Sequence, residues 1–353
     1  MLQRWLPGGP DGRYLTTPMT PDLAANTALS FATTTTCPYE NPTPLTDFLG
    51  LLAIAVLPAS FPITFGAMVG RPRAGRALLA AMVVLFVAGL VACDLAKNSA
   101  SPRMSGLGIS GGNMEGKEVR FGVGGSVLAA VVTSDGATGS YNAMHDSFRP
   151  LGGLVLLVNM LLGEVVFGGL GTGLYSLMMV ALVGLFMAGL MIGRTPEYLG
   201  KTIQADEAKL IAGYTVLTPL VVTCLTAWAV ATGAGRAGLV TNDGSRGFTE
   251  VLFAYASCMA NNGQTMAGLG ANSPFYNGTT AVAMAAGRFG LAALALTLAG
   301  RLAAQGRKEA MIGTMPADTP TFVAVVVGSV LLVGALCFLP ALALGPVAEH
   351  LRR

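Results

Sequence analysis

Two stretches of this sequence gather the small polar groups that could hold a bare cation: TSDGATGSYN (133–142) and ANNGQTMAG (260–268). Carbonyls freed by glycine, helped by hydroxyl and amide oxygens, can replace the water shell of a dehydrated ion, as in a potassium filter. The second stretch lies inside Val251–Gly287, a run with no Asp, Glu, Lys or Arg. The plainer reading of such a cluster is a helix break or a close-packing site. Its recurrence in two places is what favours a pore loop. Three charged positions could also do chemistry. Arg288 sits in an apolar run and is either a fixed positive charge below a filter or half of an ion pair, with Glu164 its candidate partner. Glu164 and the glycines after it could gate a passage or cap a broken helix. His145–Asp146 could form a metal or catalytic dyad, or hydrogen bonds that hold a loop edge.

The solvent around these groups follows from composition. Of 353 residues, 53% are hydrophobic and 11% charged, against about 25% charged in ordinary soluble domains. Phe48–Gly70, Ala77–Cys93, Leu210–Gly235 and Thr319–Ala348 carry no charge, and Thr279–Gly300 carries only Arg288. Each is long enough to cross a bilayer, which takes about 20 apolar residues. The chain is expected to be an all-α polytopic membrane protein.

Orientation comes from short basic loops, which favour the cytoplasm. Arg71, Arg73 and Arg76; Arg194, Lys201 and Lys209; and Arg301, Arg307 and Lys308 mark three of them. The connections 94–150 and 236–250 then lie outside. Leu151–Gly193, with Glu164 as its one charge, would be roughly 65 Å long as a continuous helix, yet the charges permit one net crossing. A break near Gly168–Gly173, in GEVVFGGLGTG (163–173), resolves this, because glycines interrupt a helix. Residues 77–193 and 210–300 share one pattern: span, outer loop, short apolar piece, polar Gly-containing stretch, span. The short pieces, about Val119–Val132 and Phe248–Met259, are too short to cross and read as re-entrant helices. Irregular backbone after them is tolerated only when it is buried or lines a watery cavity. Their C-terminal, partly negative ends would favour a cation. The count is about six net spans plus two re-entrant pore helices.

Other classes find less support. A net charge of +3 and the lack of a basic arm argue against nucleic acid. Five scattered cysteines without CxxC spacing suit small buried hydrophobes, and two histidines are too few for a His-rich metal site. An intramembrane enzyme would need a second catalytic group, and HExxH, GxSxG and GxGD are absent.

Several longer stretches identify a family resemblance: NMEGKEVRFG (113–122), NAMHDSF (142–148), GEVVFGGLGTGLY (163–175), MIGRTPEYLGK (191–201), ANSPFYN (271–277) and LGPVAEHL (344–351). In this order they resemble KdpA, the potassium-binding subunit of the Kdp potassium-transporting P-type ATPase. The resemblance implies tandem helix–pore loop–helix repeats of the potassium-transporter superfamily in a bacterial plasma (inner) membrane. It implies a channel-like, non-catalytic subunit that binds extracytoplasmic K+ and passes it on. The implied partners are the P-type ATPase catalytic subunit (KdpB-like), KdpC-like and small KdpF-like subunits, and the lipid bilayer. K+ is the transported ion, and no organic cofactor is implied.

Carried over by position, the third-repeat filter is Ala137, Thr138, Gly139 and Ser140, and the fourth is Asn261, Asn262, Gly263 and Gln264. NTALSFATTTT (26–36) resembles the first filter, with Thr33 and Thr35 facing the ion. Glu164, Gly168, Gly169, Gly171, Gly173 and Arg288 would form the gate and vestibule beneath. Gly263 is expected to be the most sensitive filter position, with the amides of Asn262 and Gln264 bracing its loop from behind and the loop of Gly139 less constrained by packing. Glu115, Lys117, Glu118 and Arg120 would form a solvated rim. The implied layout is 1–44 as an extracytoplasmic lead-in, 45–70 as a second-repeat outer helix, 77–193 and 207–305 as the third and fourth repeats, and 319–348 as a C-terminal span. After Thr36 the sequence passes within a few residues to YENPTPLTDF (39–48), so the first repeat's spans and part of the second repeat are missing from the pattern. A degenerate, non-conducting remnant that only assembles with partners is the alternative reading.

Overall fold

The computed structural model describes residues 43–98, 114, 116–117, 121–163, 165–169, 172–193, 196–306 and 315–351. Thr33 and Thr35, Glu164, Gly171, and the rim residues Glu115, Glu118 and Arg120 lie outside the described residues.

The molecule is a helical bundle in which six helices are long and apolar enough to cross a membrane. Helix α1 (Pro44–Met68) opens at Thr43, whose hydroxyl accepts from the Thr46 amide while Thr46 Oγ1 accepts from the Thr43 amide; Pro44 follows at the first helical position. This capping box serves amide groups that a helix start leaves unbonded. α1 ends at Gly70 (φ +73°), and the chain reverses into α2 (Pro72–Asn98). The two helices press together at small residues. A Cβ on Gly66 would lie 2.9 Å from Gly75 Cα, and one on Gly75 would overlap the Pro62 carbonyl. In lipid, where apolar burial drives no helix pairing, such close backbone contact is a main source of association.

Next come α3 (Gly122–Asp135) and α4 (Pro150–Leu161), then α5 (Thr172–Ile192). A two-stranded hairpin, Glu197–Tyr198 with Lys201–Thr202, leads into α6 (Ala205–Ala231) and the single turn α7 (Gly233–Arg236). α8 (Gly244–Ala260) precedes two long helices, α9 (Pro274–Ala304) and α10 (Pro320–Leu351). Each long helix contains one π-helical turn, at Ala286–Gly290 in α9 and Ala343–Val347 in α10. Ser273 and Thr319 cap the two long helices, each followed by proline.

The stretch Leu151–Gly193 is two helices, α4 and α5, and makes one traverse of the molecule. Contacts along α10 show it. Tyr198, beyond α5, stacks on Phe322 at 5.9 Å. A Cβ on Gly184 would meet Ser329, and one on Gly334 would meet Leu162. The turn Ala343–Val347 packs against α4. The α4–α5 pair thus runs antiparallel to α10 from end to end. The first of the two helices, however, already ends at Leu161, earlier than the expected break at Gly168–Gly173, and Gly173 is helical. The cause is Gly163 (φ +72°), which ends α4 in a left-handed turn before the later glycines are reached.

α3 and α8 also differ from the expected short helices. α3 begins at Gly122 and runs on through Thr133, Ser134 and Asp135, which were expected to be irregular backbone. Thr133 Oγ1 donates to the Ala129 carbonyl (2.6 Å) and Ser134 Oγ to that of Val131 (3.1 Å). Those bonds let hydroxyls remain in an apolar helix.

Candidate functional site

α3 and α8 approach from one side and deliver their following segments to a shared wall. At about 21 and 25 Å, 1.5 Å per residue, both fall short of a hydrocarbon core of about 30 Å. The structure brings Ala137–Ser140 and Asn261–Gln264 together. A Cβ on Gly139 would lie 2.8 Å from the Asn262 carbonyl oxygen, and one on Gly263 would lie 3.6 Å from Gly139 Cα. Both glycines have positive φ, +71° and +93°, and Asn261 has φ +55°. These are conformations that a Cβ disfavours.

The expectation for the two glycines is corrected in one respect. Gly139 is buried and abuts the neighbouring loop, whereas Gly263 is exposed and has room at its Cβ position. The loop of Gly139 is therefore the more tightly packed.

Asn262 and Gln264 hold the two loops in register. Asn262 Nδ2 donates to the carbonyls of Thr133 (2.8 Å), Gly136 (3.3 Å) and Ser134 (3.4 Å) at the end of α3. Its Oδ1 accepts from the Gln264 amide at 3.3 Å. Gln264 Nε2 donates to Thr133 Oγ1 (2.5 Å) and to the Ser140 carbonyl (3.1 Å). Within the fourth loop, Ser257 Oγ accepts from the Gly263 amide at 3.0 Å. The carbonyls at the end of α3, which the helix dipole would turn toward a cation, are thus partly occupied by these caps. Gln264 Oε1 and Asp135 Oδ2 are buried acceptors with no hydrogen-bond partner among the described residues.

Beneath the fourth loop lies a cavity of about 20 Å³ bordered by Asn261, Met259, Gly163, Ser176 and Arg288. A second, of about 50 Å³, shares the lining residues Gly163, Thr218 and Leu291 with it and is also bordered by Tyr214 and Cys337. Arg288 lies on the π-helical turn of α9 and is exposed, with no ion-pair partner among the described residues. Such turns recur at functional sites. Here Gly287 allows the close approach, since a Cβ there would overlap the Met259 carbonyl at the end of α8. Gly168 and Gly169 are in the break and Gly173 is in α5. Ser176 Oγ and Tyr214 Oη share a 2.7 Å hydrogen bond that ties the start of α5 to α6.

The outer edge is a clamp that the sequence reading missed in part. Asp146 accepts from Arg246 Nη2 (2.8 Å), Arg246 Nε (3.0 Å) and Asn242 Nδ2 (3.1 Å). Arg246 also pairs with Glu349 at 3.3 Å. His145 is buried against Tyr141, Phe148 and Phe253, and so serves packing beside the clamp. Asn242 also donates to Glu250 at 3.3 Å. Burial pushes the Glu250 carboxyl upward, with the Asn242 bond opposing it. Lys117 reaches Ser147 at 3.1 Å and lies over the Phe148 ring. Among the described residues no cluster of three His, Cys, Asp or Glu side chains could hold a metal.

Fold and site define a class: a multi-pass α-helical membrane protein with two short helices that bring glycine-bearing loops face to face. Comparison narrows it. A family profile described as "Potassium-transporting ATPase A subunit" matches residues 35–351. Relatives named potassium-transporting ATPase potassium-binding subunit include one from Dechloromonas aromatica, 52% identical, covering 89% of this chain and 53% of the relative. Others are from Paracidovorax citrulli (53% identical; 89% and 53% covered) and Ralstonia nicotianae (49% identical; 94% and 56% covered). The chain belongs to the potassium-transporting ATPase A subunit family. It spans about half the length of the curated relatives it matches.

Proposed function

We propose that this chain contributes two adjacent pore loops to the potassium-binding filter of an ATP-driven uptake complex. The observation that carries the reading is the apposition of Gly139 and Gly263, both at positive φ, on loops that follow two short helices. Successive carbonyls can turn toward an ion only where the backbone reaches such conformations. Ala137, Thr138, Ser140 and Asn261 supply the flanking carbonyls, and Thr33 and Thr35 belong to a further filter strand. K+ enters from the face carrying the Asp146–Arg246 clamp. Below the filter, Arg288 sets a positive limit to how deep the ion rests. An inward passage runs by Gly163, where the two neighbouring cavities share their lining, with Glu164, Gly168, Gly169, Gly171 and Gly173 as its gate. ATP is hydrolysed by a P-type ATPase catalytic subunit, and smaller KdpC-like and KdpF-like subunits complete the assembly in a bacterial inner membrane.

A specific observation favours a second reading. Gly263 and Arg288 are both exposed, so this wall of the filter stands open. A non-conducting remnant that only assembles with partners would look the same. Growth separates them. Co-expressed with the partner subunits in cells without other high-affinity uptake, the chain should support growth at micromolar external K+, and Gly263→Asp should not. Copurification with the partners without growth favours the remnant.

A further inference from the structure

The amides of Asn262 and Gln264 lie where filter side chains are expected, but their hydrogen bonds point to the neighbouring loop. We propose that Asn262 is a positioning residue that sets cation discrimination by fixing the third-repeat loop, and that its side chain is not an ion ligand. The proposal rests on the filter reading above.

Three observations carry it. First, both ends of the Asn262 amide are occupied. Nδ2 serves the carbonyls of Thr133, Ser134 and Gly136, and Oδ1 accepts from the Gln264 amide. Second, the third-repeat strand is gripped at both ends from the fourth repeat: at Gly136 by Asn262, and at Ser140 by Gln264. Third, between those grips Gly139 rests against the Asn262 carbonyl, so a shift of Asn262 moves the strand directly. Buried polar groups joined in this way act as a network, and losing one donor leaves several acceptors exposed to a low dielectric. A ring of carbonyls whose spacing is held from behind cannot contract around a smaller ion. Loosening the grip should therefore weaken discrimination between K+ and Na+ more than it weakens binding of either.

Asn262→Asp is the sharpest variant, since it keeps the shape but presents oxygen to three carbonyls. The test is thermal unfolding of the purified chain in detergent, with K+, Rb+, Na+ or choline at fixed ionic strength. The unmodified chain should unfold at higher temperature in K+ than in Na+. Asn262→Asp and Asn262→Ala should lower the transition in every buffer and also shrink the K+ over Na+ preference about tenfold, on the scale of one net hydrogen bond. A transition lowered equally in all buffers, with the preference intact, would make Asn262 a structural brace only and overturn the proposal while leaving the filter reading in place. No cation dependence in the unmodified chain would overturn both. If neither Asn262 variant folds, Gln264→Ala and Thr133→Val, singly and together, take its place. Losses of preference that simply add would count against a shared latch, and non-additive losses support it.

Discussion

At the scale of single residues, the two apposed loop glycines, Gly139 and Gly263, are constrained differently. Both need positive φ, but Gly139 also lacks space, because its Cβ would stand 2.8 Å from the Asn262 carbonyl. Gly139→Ala should therefore lower thermal stability and cation preference together. Gly263→Ser, strained by its φ but not crowded, should lower the unfolding temperature in choline less than Gly139→Ala does, while reducing the shift produced by K+. Equal stability losses in the two variants, measured by thermal unfolding, would contradict that division. Gly287 offers a separate check on packing. A Cβ there overlaps the Met259 carbonyl, so Gly287→Ala must displace the end of α8 or part of α9. Overpacking of this kind costs roughly 1–3 kcal/mol. The same melting assay should show a lowered transition without any change in cation ranking in the part of the population that remains folded.

At the scale of elements, the α4–break–α5 segment lets a chain of spanning length cross once while leaving backbone at mid-depth. Asn159 donates to Ser134 at 3.0 Å, tying α4 to the end of α3, and Ser176 is buried against Tyr214. Single cysteines at Asn159 and Ser176 should both resist a membrane-impermeant thiol reagent applied from the cytoplasm. Strong labelling at Gly168 or Gly169 from that side would instead indicate a cytoplasmic loop between two spans. Much of this architecture was legible in the sequence, because the signals are large: charge-free runs set the spans, and the length of Leu151–Gly193 required a break. The exact position of the break was not legible. Five glycines compete within 163–173, and which one takes the left-handed turn depends on packing against α5 and α10. The partners of Asn262, Arg246 and Tyr214 were equally hidden. Each joins residues far apart in the chain, and residue type alone does not show which carbonyl an amide will meet. The apposition of the two loops was expected from the repeat and the family resemblance, whereas the latch between them was not.

At the scale of the whole molecule, contacts sort the chain ends into two faces. One face holds Asp47 bonded to Asn142 (2.7 Å), Asp146 bonded to Arg246, and Glu349 near the end of α10. The other holds Arg301 paired with Asp206 and Glu207 (both 2.9 Å), Gln305 bonded to Thr202, and Arg71 and Arg73 beside Asp318. Basic residues concentrate on the second face, so we expect that face to lie in the cytoplasm. Six traverses then follow, through α1, α2, the α4–α5 pair, α6, α9 and α10, while α3 and α8 enter from the first face and stop. An even number of crossings from an outside start returns the chain outside, so Glu349 and the residues after it belong on the extracytoplasmic side. Arg352 and Arg353 oppose this assignment. Two terminal charges must nevertheless be weighed against a clamp that joins Glu349 to Arg246, and through it to Asp146, three segments distant in sequence. We expect the clamp to prevail. An alkaline phosphatase fusion after Arg353 should be active and a fluorescent protein that folds only in the cytoplasm should be dark. The opposite pair of signals would place the C-terminus inside, and would require either the reverse orientation of all six traverses or the withdrawal of one.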